Sequence, residues 1–409
     1  MTIISLADVQ VAQTRIAGGI YLSPCPLSEP LSDLCGAEIF CKLDLLQRTG
    51  SFKERGARNA LLLLPPEQRA RGVVAASAGN HALALAYHAK QMGIPATVFM
   101  PKHAPLVKQL NCKRLGAQVI LHGESFQEAR ETAEAYAVSH RQSYVHGYDD
   151  PAIIAGQGTI ALEILDQVAD IDAIVVPIGG GGLIAGVATV VKTLRPSIKV
   201  IGVEPFNSRC FSSAISAGEP VRVTSSPTLA DGLAVSVAGN NALQTAAGKI
   251  DKLVSVREAD LALAVVRLME REKIVAEGAG AAALAALLGG HLPELRGKRV
   301  VLLLCGGNID LTVLTRLIEG AMVLDGRLTR FTATISDRPG GLAKFTALVA
   351  ETGASIKEIT HDRVFSGPNI AAVNVRCIVE TRDQAHIDEL YAHLTKHEVP
   401  HFAHAPNWD

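Results

Sequence analysis

The stretch "AIVVPIGGGGLIAG", Ala173 to Gly186, is an apolar, β-branched run broken by four consecutive glycines before an apolar helical pattern begins. A strand with no polar alternation is buried on both faces and belongs to a parallel sheet. Four glycines in a row let successive backbone amides turn inward on an anion, with the dipole of the following helix behind them. Gly180, Gly182 and Ala185 also satisfy G-x-G-x-x-A, and Glu204 closes the next strand, "KVIGVEP". A dinucleotide fold places its ribose-binding acid there. Two anions therefore remain open at this point: a cofactor phosphate, or the pyrophosphate of a nicotinamide dinucleotide in an NAD-dependent oxidoreductase.

The same strand–turn–helix theme repeats from about residue 37 to 320. "GVVAASAGN" leads into "HALALAYHAKQMG", "ATVFMP" into "HAPLVKQLNCKRLG", and "AQVILHG" into "SFQEARETAEAYAVSH". The expected fold class is α/β, with open twisted parallel sheets covered by helices and ligands at the carboxyl ends of the strands. Near residue 328 the texture changes. "RLTRFTATIS" alternates, "DRPGG" turns, and "LAKFTALVAETG" carries a helical apolar stripe at 342, 345, 348 and 349. Two further strands joined by "FSGPN", the helix "DQAHIDELYAHLTKHE" and the short strand "PHFAHA" complete a β-α-β-β-α-β order, the ferredoxin-like plan. The expected domains are residues 1–325, with a smaller subdomain at about 50–155, and 326–409.

Composition narrows the function. Of 409 residues 48% are hydrophobic and 19% charged, and the net charge is −1. Such a balance offers no electrostatic footprint for nucleic acid or an anionic membrane. No secretory signal and no membrane span is expected. Seven cysteines, at 25, 35, 41, 112, 210, 305 and 377, never form C-x-x-C and read as free thiols of a reducing, cytoplasmic compartment.

Three other turns carry candidate chemistry. In "GSFKERG", Gly50 to Gly56, Ser51 and Glu54 fit a capping box and place Lys53 in a helix's first turn. The helix dipole disfavours an ammonium there, so Lys53 is either a solvated surface lysine or an activated nucleophile. In "ASAGNHA", residues 76–82, Ser77, Asn80 and His81 surround a turn suited to a carboxylate, or Asn80 simply caps the helix. The buried strand "VVLLLCGGNID" ends in Cys305, which is a ligand-facing thiol or a small hydrophobe.

Taken together, "TGSFKERGA", "SAGNHA", "AGQGT", "GGGGLIAG", "TLADGLAV", "AEGAGA" and "CGGNID" appear in the order found in fold-type II pyridoxal-phosphate enzymes. Across nearly its whole length the chain resembles the threonine dehydratases (threonine ammonia-lyases) with a C-terminal ACT-like domain. The resemblance implies pyridoxal 5'-phosphate as cofactor, carried by Lys53 with Phe52 packed beside it. It implies that Asn80 bonds the cofactor's phenolic oxygen and that Gly179, Gly180, Gly181, Gly182 and the Leu183 amide hold its phosphate. Cys305 faces the pyridine nitrogen, and Ser77, Asn80 and His81 receive the substrate carboxylate. The implied reaction is β-elimination of water from L-threonine or L-serine, giving 2-oxobutanoate or pyruvate and ammonia.

Alternatives within the resemblance are a serine racemase or a dehydratase of another β-hydroxy amino acid. Racemases carry a serine where this chain has Ala78, and the absence of an acid there favours elimination. Cys210 stands where a second carboxylate would join Glu204 around a divalent ion, so no strong metal site is expected. Leu83 replaces a glutamine found in many dehydratases. The ACT-like segment implies a homo-oligomer, dimer or tetramer, and an amino-acid effector such as isoleucine or valine near Asp337 and Gly340. A domain that only assembles the oligomer, and a non-catalytic amino-acid-binding regulator, are the competing readings of that segment.

Overall fold

A computed structural model describes residues 3–363 and 371–404. The "FSGPN" connection lies outside them. The chain divides into two compact units, 1–309 and 310–409.

The first unit holds two sheets. The larger has six strands in the order Leu27–Ser28, Glu38–Lys42, Arg299–Leu303, Ala173–Pro177, Lys199–Pro205, Lys252–Val256, parallel except for the first pair. The smaller is all parallel, in the order Gln118–Leu121, Ala96–Met100, Val73–Ala76, Ser143–Tyr144. As expected of parallel strands, Ala173–Pro177 and Val73–Ala76 are buried at every position. The helices Pro151–Gln167 and Gly182–Leu194 pack with backbones almost touching: a Cβ on Gly186 would sit 2.5 Å from the Ile154 carbonyl oxygen. Gly156 likewise lies against the backbone of Arg55 and Gly56. The glycines of "AGQGT" thus serve helix packing.

Beneath the helix Lys53–Leu63 lies a buried charge network. Arg55 donates to both oxygens of Asp44 at 2.7 Å and to Glu163 at 2.6 Å, and Lys42 meets Glu163 at 2.6 Å. Burial alone would raise the Asp44 pKa, but the Arg55 guanidinium overrides it and holds the carboxyl below its usual range.

In the second unit four antiparallel strands run in the order Ser355–Asp362, Ala372–Glu380, Leu328–Ser336, His401–Ala403, with helices Gly341–Glu351 and Gln384–Lys396 in the connections. This is the ferredoxin-like order read from the pattern. Phe345, Leu348 and Val349 of the helical stripe are buried, whereas Leu342 is exposed. The division between the units falls one helix earlier than the change of texture near 328. Leu311–Leu324 belongs to the second unit, where Glu319 pairs with Lys357 at 2.8 Å.

Candidate active site

The turns after Val73–Ala76, Ala173–Pro177 and Arg299–Leu303 lie at the carboxyl ends of strands, and Gly50–Gly56 follows strand Glu38–Lys42 after a short turn at Asp44–Leu46. The link that brings them together is short: the Phe52 amide donates to the Cys305 carbonyl at 3.0 Å, and Ser51 bridges Gly306. This pairing seats the start of the Lys53 helix on the end of strand Arg299–Leu303 of the larger sheet.

The capping box is not formed. The helix begins at Lys53 with Phe52 as N-cap and no side-chain cap. Glu54 instead accepts from the Thr49 amide and from His88 Nε2, the latter at 3.1 Å. The Ser51 hydroxyl is buried with no hydrogen-bond partner among the described residues. Glu54 turns inward because His88 offers a buried donor that a surface cap would leave unmet.

Lys53 is partly buried, its Nζ donating to the Gly147 carbonyl at 2.7 Å and lying 5.1 Å from the centre of the Phe52 ring. Burial pulls its pKa down from 10.5 to about 8, and the nearby Glu277 carboxylate keeps it from falling further. This is an amine poised between its charged and neutral forms near neutral pH. Cys305 is buried, and burial followed by the Glu277 charge pushes its thiol far up, so it stays protonated.

Asn80 is the first residue of helix Asn80–Gln91, not its cap; Gly79 is the N-cap. Asn80 Nδ2 donates to Glu277 at 2.6 Å, and its Oδ1 accepts from Asn308 Nδ2 at 2.7 Å, leaving one Nδ2 hydrogen for a ligand. Asn308 also donates to the Thr49 carbonyl. Burial and then Asp231 raise the Glu277 pKa to about 7, against the pull of the Asn80 hydrogen bond. Ser77 Oγ accepts from the Gly79 amide at 3.2 Å. His81 is buried and bonds the Val145 carbonyl at 2.9 Å, so that ring nitrogen carries the hydrogen and Nδ1 is left without a partner. Burial and then the Lys53 charge lower its pKa to about 4, which makes it a neutral ring.

The glycine turn fits a phosphate. Among the described residues none of the amides from Gly179 to Leu183 donates to a protein acceptor, and Gly182 opens the helix Gly182–Leu194. Side chains are excluded there. A Cβ would come within 2.2 Å of the Tyr148 ring at Gly180 and of the Phe211 ring at Gly181, and within 2.3 Å of the Tyr148 carbonyl oxygen at Gly182. Gly181 also takes a φ of +96°, which favours glycine. The turn thus presents bare backbone amides where a phosphate's oxygens need donors.

The dinucleotide reading fails on Glu204. Its two oxygens accept from the amides of Phe211 at 2.7 Å and Ser212 at 3.0 Å, so that Glu204 caps the start of helix Cys210–Ala217. Cys210 Sγ points to the Gly179 carbonyl at 3.5 Å.

Sequence reasoning missed Glu277, Asn308, Tyr148 and Gly147. Glu277 had a signal: it is the one charged residue of "AEGAGA", otherwise built of small apolar residues. In the second unit, Asp337 accepts from Arg363 Nε at 3.0 Å, and Gly340 caps helix Gly341–Glu351 at a φ of +90°.

Comparison with known proteins agrees with this geometry. Residues 16–306 match the family of pyridoxal-phosphate dependent enzymes. An L-threonine ammonia-lyase of Thermotoga maritima is 41% identical over 387 residues, covering 95% of this chain and 96% of its own. Among solved structures, the processed form of threonine deaminase isoform 2 from Solanum lycopersicum matches with a TM-score of 0.73 at 34% identity, over 77% of this chain and 86% of that one. Maize serine racemase matches with a TM-score of 0.74 at 32% identity, over 78% of this chain and 97% of that one. Alongside a turn of bare backbone amides, a lysine whose pKa is lowered to about 8 and a buried protonated thiol, the match over residues 16–306 shows that the chain belongs to the pyridoxal-phosphate dependent enzyme family.

Proposed function

We propose that the protein is an L-threonine ammonia-lyase, removing water and then ammonia from L-threonine to give 2-oxobutanoate, and acting on L-serine to give pyruvate. The observation that carries this reading is Lys53: an amine at the start of a helix whose one hydrogen-bond acceptor among the described residues is a backbone carbonyl. Relatives named for the same activity, at 41% identity over nearly the whole chain, support it.

When bound, pyridoxal phosphate supplies the electron sink that acidifies the substrate's α-hydrogen. The amides of Gly179, Gly180, Gly181, Gly182 and Leu183 would hold its phosphate, Phe52 would pack beside it, and the remaining Nδ2 hydrogen of Asn80 would be available to its phenolic oxygen. The turn at Ser77, Asn80 and His81 receives the substrate carboxylate, with the neutral His81 adding no charge of its own. Lys53 Nζ, once free and neutral, accepts the α-proton. Cys305, a protonated thiol, cannot hold a full positive charge on a pyridine nitrogen as a carboxylate would. With Cys305 there, the bound cofactor would be a weaker electron sink, suited to loss of a β-substituent. Ala78 places no acid on the opposite face, which separates this site from a racemase.

The test is a product assay across L-threonine, L-serine and other β-hydroxy amino acids. Release of 2-oxobutanoate and ammonia from L-threonine supports the proposal. Formation of D-serine without any 2-oxo acid overturns it.

The protein acts in the cytosol as a homo-oligomer, a dimer or tetramer, and its second unit is an ACT-like regulatory domain. The ferredoxin-like strand order supports the domain reading. The seven free cysteines support the compartment, and among the described residues no helix is long and apolar enough to cross a membrane. Isoleucine or valine binds near Asp337 and Gly340, so calorimetry on the full chain gives a binding heat that Asp337→Ala removes. An unchanged heat in that variant overturns the assignment of the site.

A further inference from the structure

In the second unit, helix Gln384–Lys396 carries His393 in its last turn and His397 at its C-cap. Four residues apart, the two rings share one face of the helix, with centroids 4.6 Å apart. Glu351, the last residue of helix Gly341–Glu351, reaches across so that Oε2 accepts from His393 Nε2 at 3.0 Å. One donor atom from each of the three lies within 4.8 Å of the other two.

We infer that Glu351, His393 and His397 form a binding site for a zinc-like divalent ion, which clamps helix Gly341–Glu351 to helix Gln384–Lys396. The donor set selects the class of ion. Two imidazoles and a carboxylate suit zinc and its neighbours, whereas magnesium and calcium prefer oxygen alone. The spacing agrees. A tetrahedral ion with bonds of about 2.0–2.1 Å sets its donors about 3.4 Å apart. Glu351 and His393 already stand near that separation, and the exposed Glu351 and His397 can close the remainder by side-chain rotation. The setting is also favourable, because all three residues lie at helix C-termini, where the partial negative charge of free carbonyls attracts a cation. Three protein donors leave the fourth position to water. A plain interhelix hydrogen bond accounts for Glu351 and His393 but gives His397 no part.

The experiment is calorimetric titration of zinc ion into the full-length, cofactor-loaded protein after metal depletion. Wild type is expected to show one saturable site per chain in this unit. His397→Ala, which leaves the hydrogen bond between Glu351 and His393 in place, is expected to weaken that site by about tenfold or more, since even supporting residues of metal sites cost this much. His393→Ala combined with His397→Ala is expected to abolish it, and Glu351→Gln to weaken it. Cobalt ion gives a second readout: ligand-field bands that appear in wild type and are lost in the double variant. Zinc binding of equal stoichiometry and affinity in wild type and double variant would place the ion elsewhere and overturn the inference. So would the absence of zinc binding in wild type.

Discussion

Lys42 and Lys53 are both withdrawn from water, and what separates them is a carboxylate. Lys42 ends the strand Glu38–Lys42, where its Nζ donates to Glu163 and the Ser23 carbonyl at 2.6 Å and to Gln167 at 2.9 Å. Lys53 opens a helix, and among the described residues its one hydrogen-bond acceptor is the Gly147 carbonyl. The first lysine is a strut in the network with Arg55 and Asp44. The second lies near the Cys305 thiol. Burial alone does not make a lysine reactive; burial without a counter-ion does.

The largest effect expected from breaking this comparison is at Lys53. Lys53→Ala abolishes 2-oxobutanoate formation from threonine, measured in a product assay. Lys42→Ala leaves Glu163 short of a partner and costs about 3–5 kcal/mol in denaturant unfolding, while the folded fraction still turns over. Next comes the cradle. In Gly180→Ala the added methyl must displace the Tyr148 ring. Such overpacking costs about 1–3 kcal/mol, so cofactor affinity, read by reconstitution of the apoprotein, falls by about tenfold or more.

A pH effect follows in size. In the cofactor-free protein Lys53 titrates at about 8, against 10.5 for a lysine in water. Between those values the unfolded chain binds the proton and the folded one does not, so stability rises with pH. The slope from this group is about 1.4 kcal/mol per pH unit. Lys53→Met lacks that rise, and the difference between the two unfolding series isolates it. The smallest effect belongs to Ser51. With no capping box formed, Ser51→Ala changes apoprotein stability by less than about 0.5 kcal/mol, where removal of a working cap costs about 1 kcal/mol.

The parallel sheets were legible in the sequence because their strands, such as Ala173–Pro177, are apolar without alternation. The second unit was legible because Leu328–Ser336 alternates. The glycine turn announced itself, since nothing but close approach explains four glycines together. Glu54 misled: S-x-x-E is a local pattern, and its capping was overridden by His88, which reaches Glu54 from a helix 34 positions away in sequence. The reading of Asn80 as a simple helix cap failed for the same reason, its amide being claimed by Glu277 and Asn308, both far away in sequence. Contacts of that kind depend on which turns the sheets bring together, and no local spacing encodes them.

The central claim is that Lys53 holds the cofactor. Borohydride reduction of the loaded protein fixes the cofactor to whichever lysine carries it, and peptide mass mapping then names that lysine. The account predicts a single modified position, Lys53, with Lys42 untouched. A modified Lys42, or a protein whose cofactor is bound to no lysine, would contradict it.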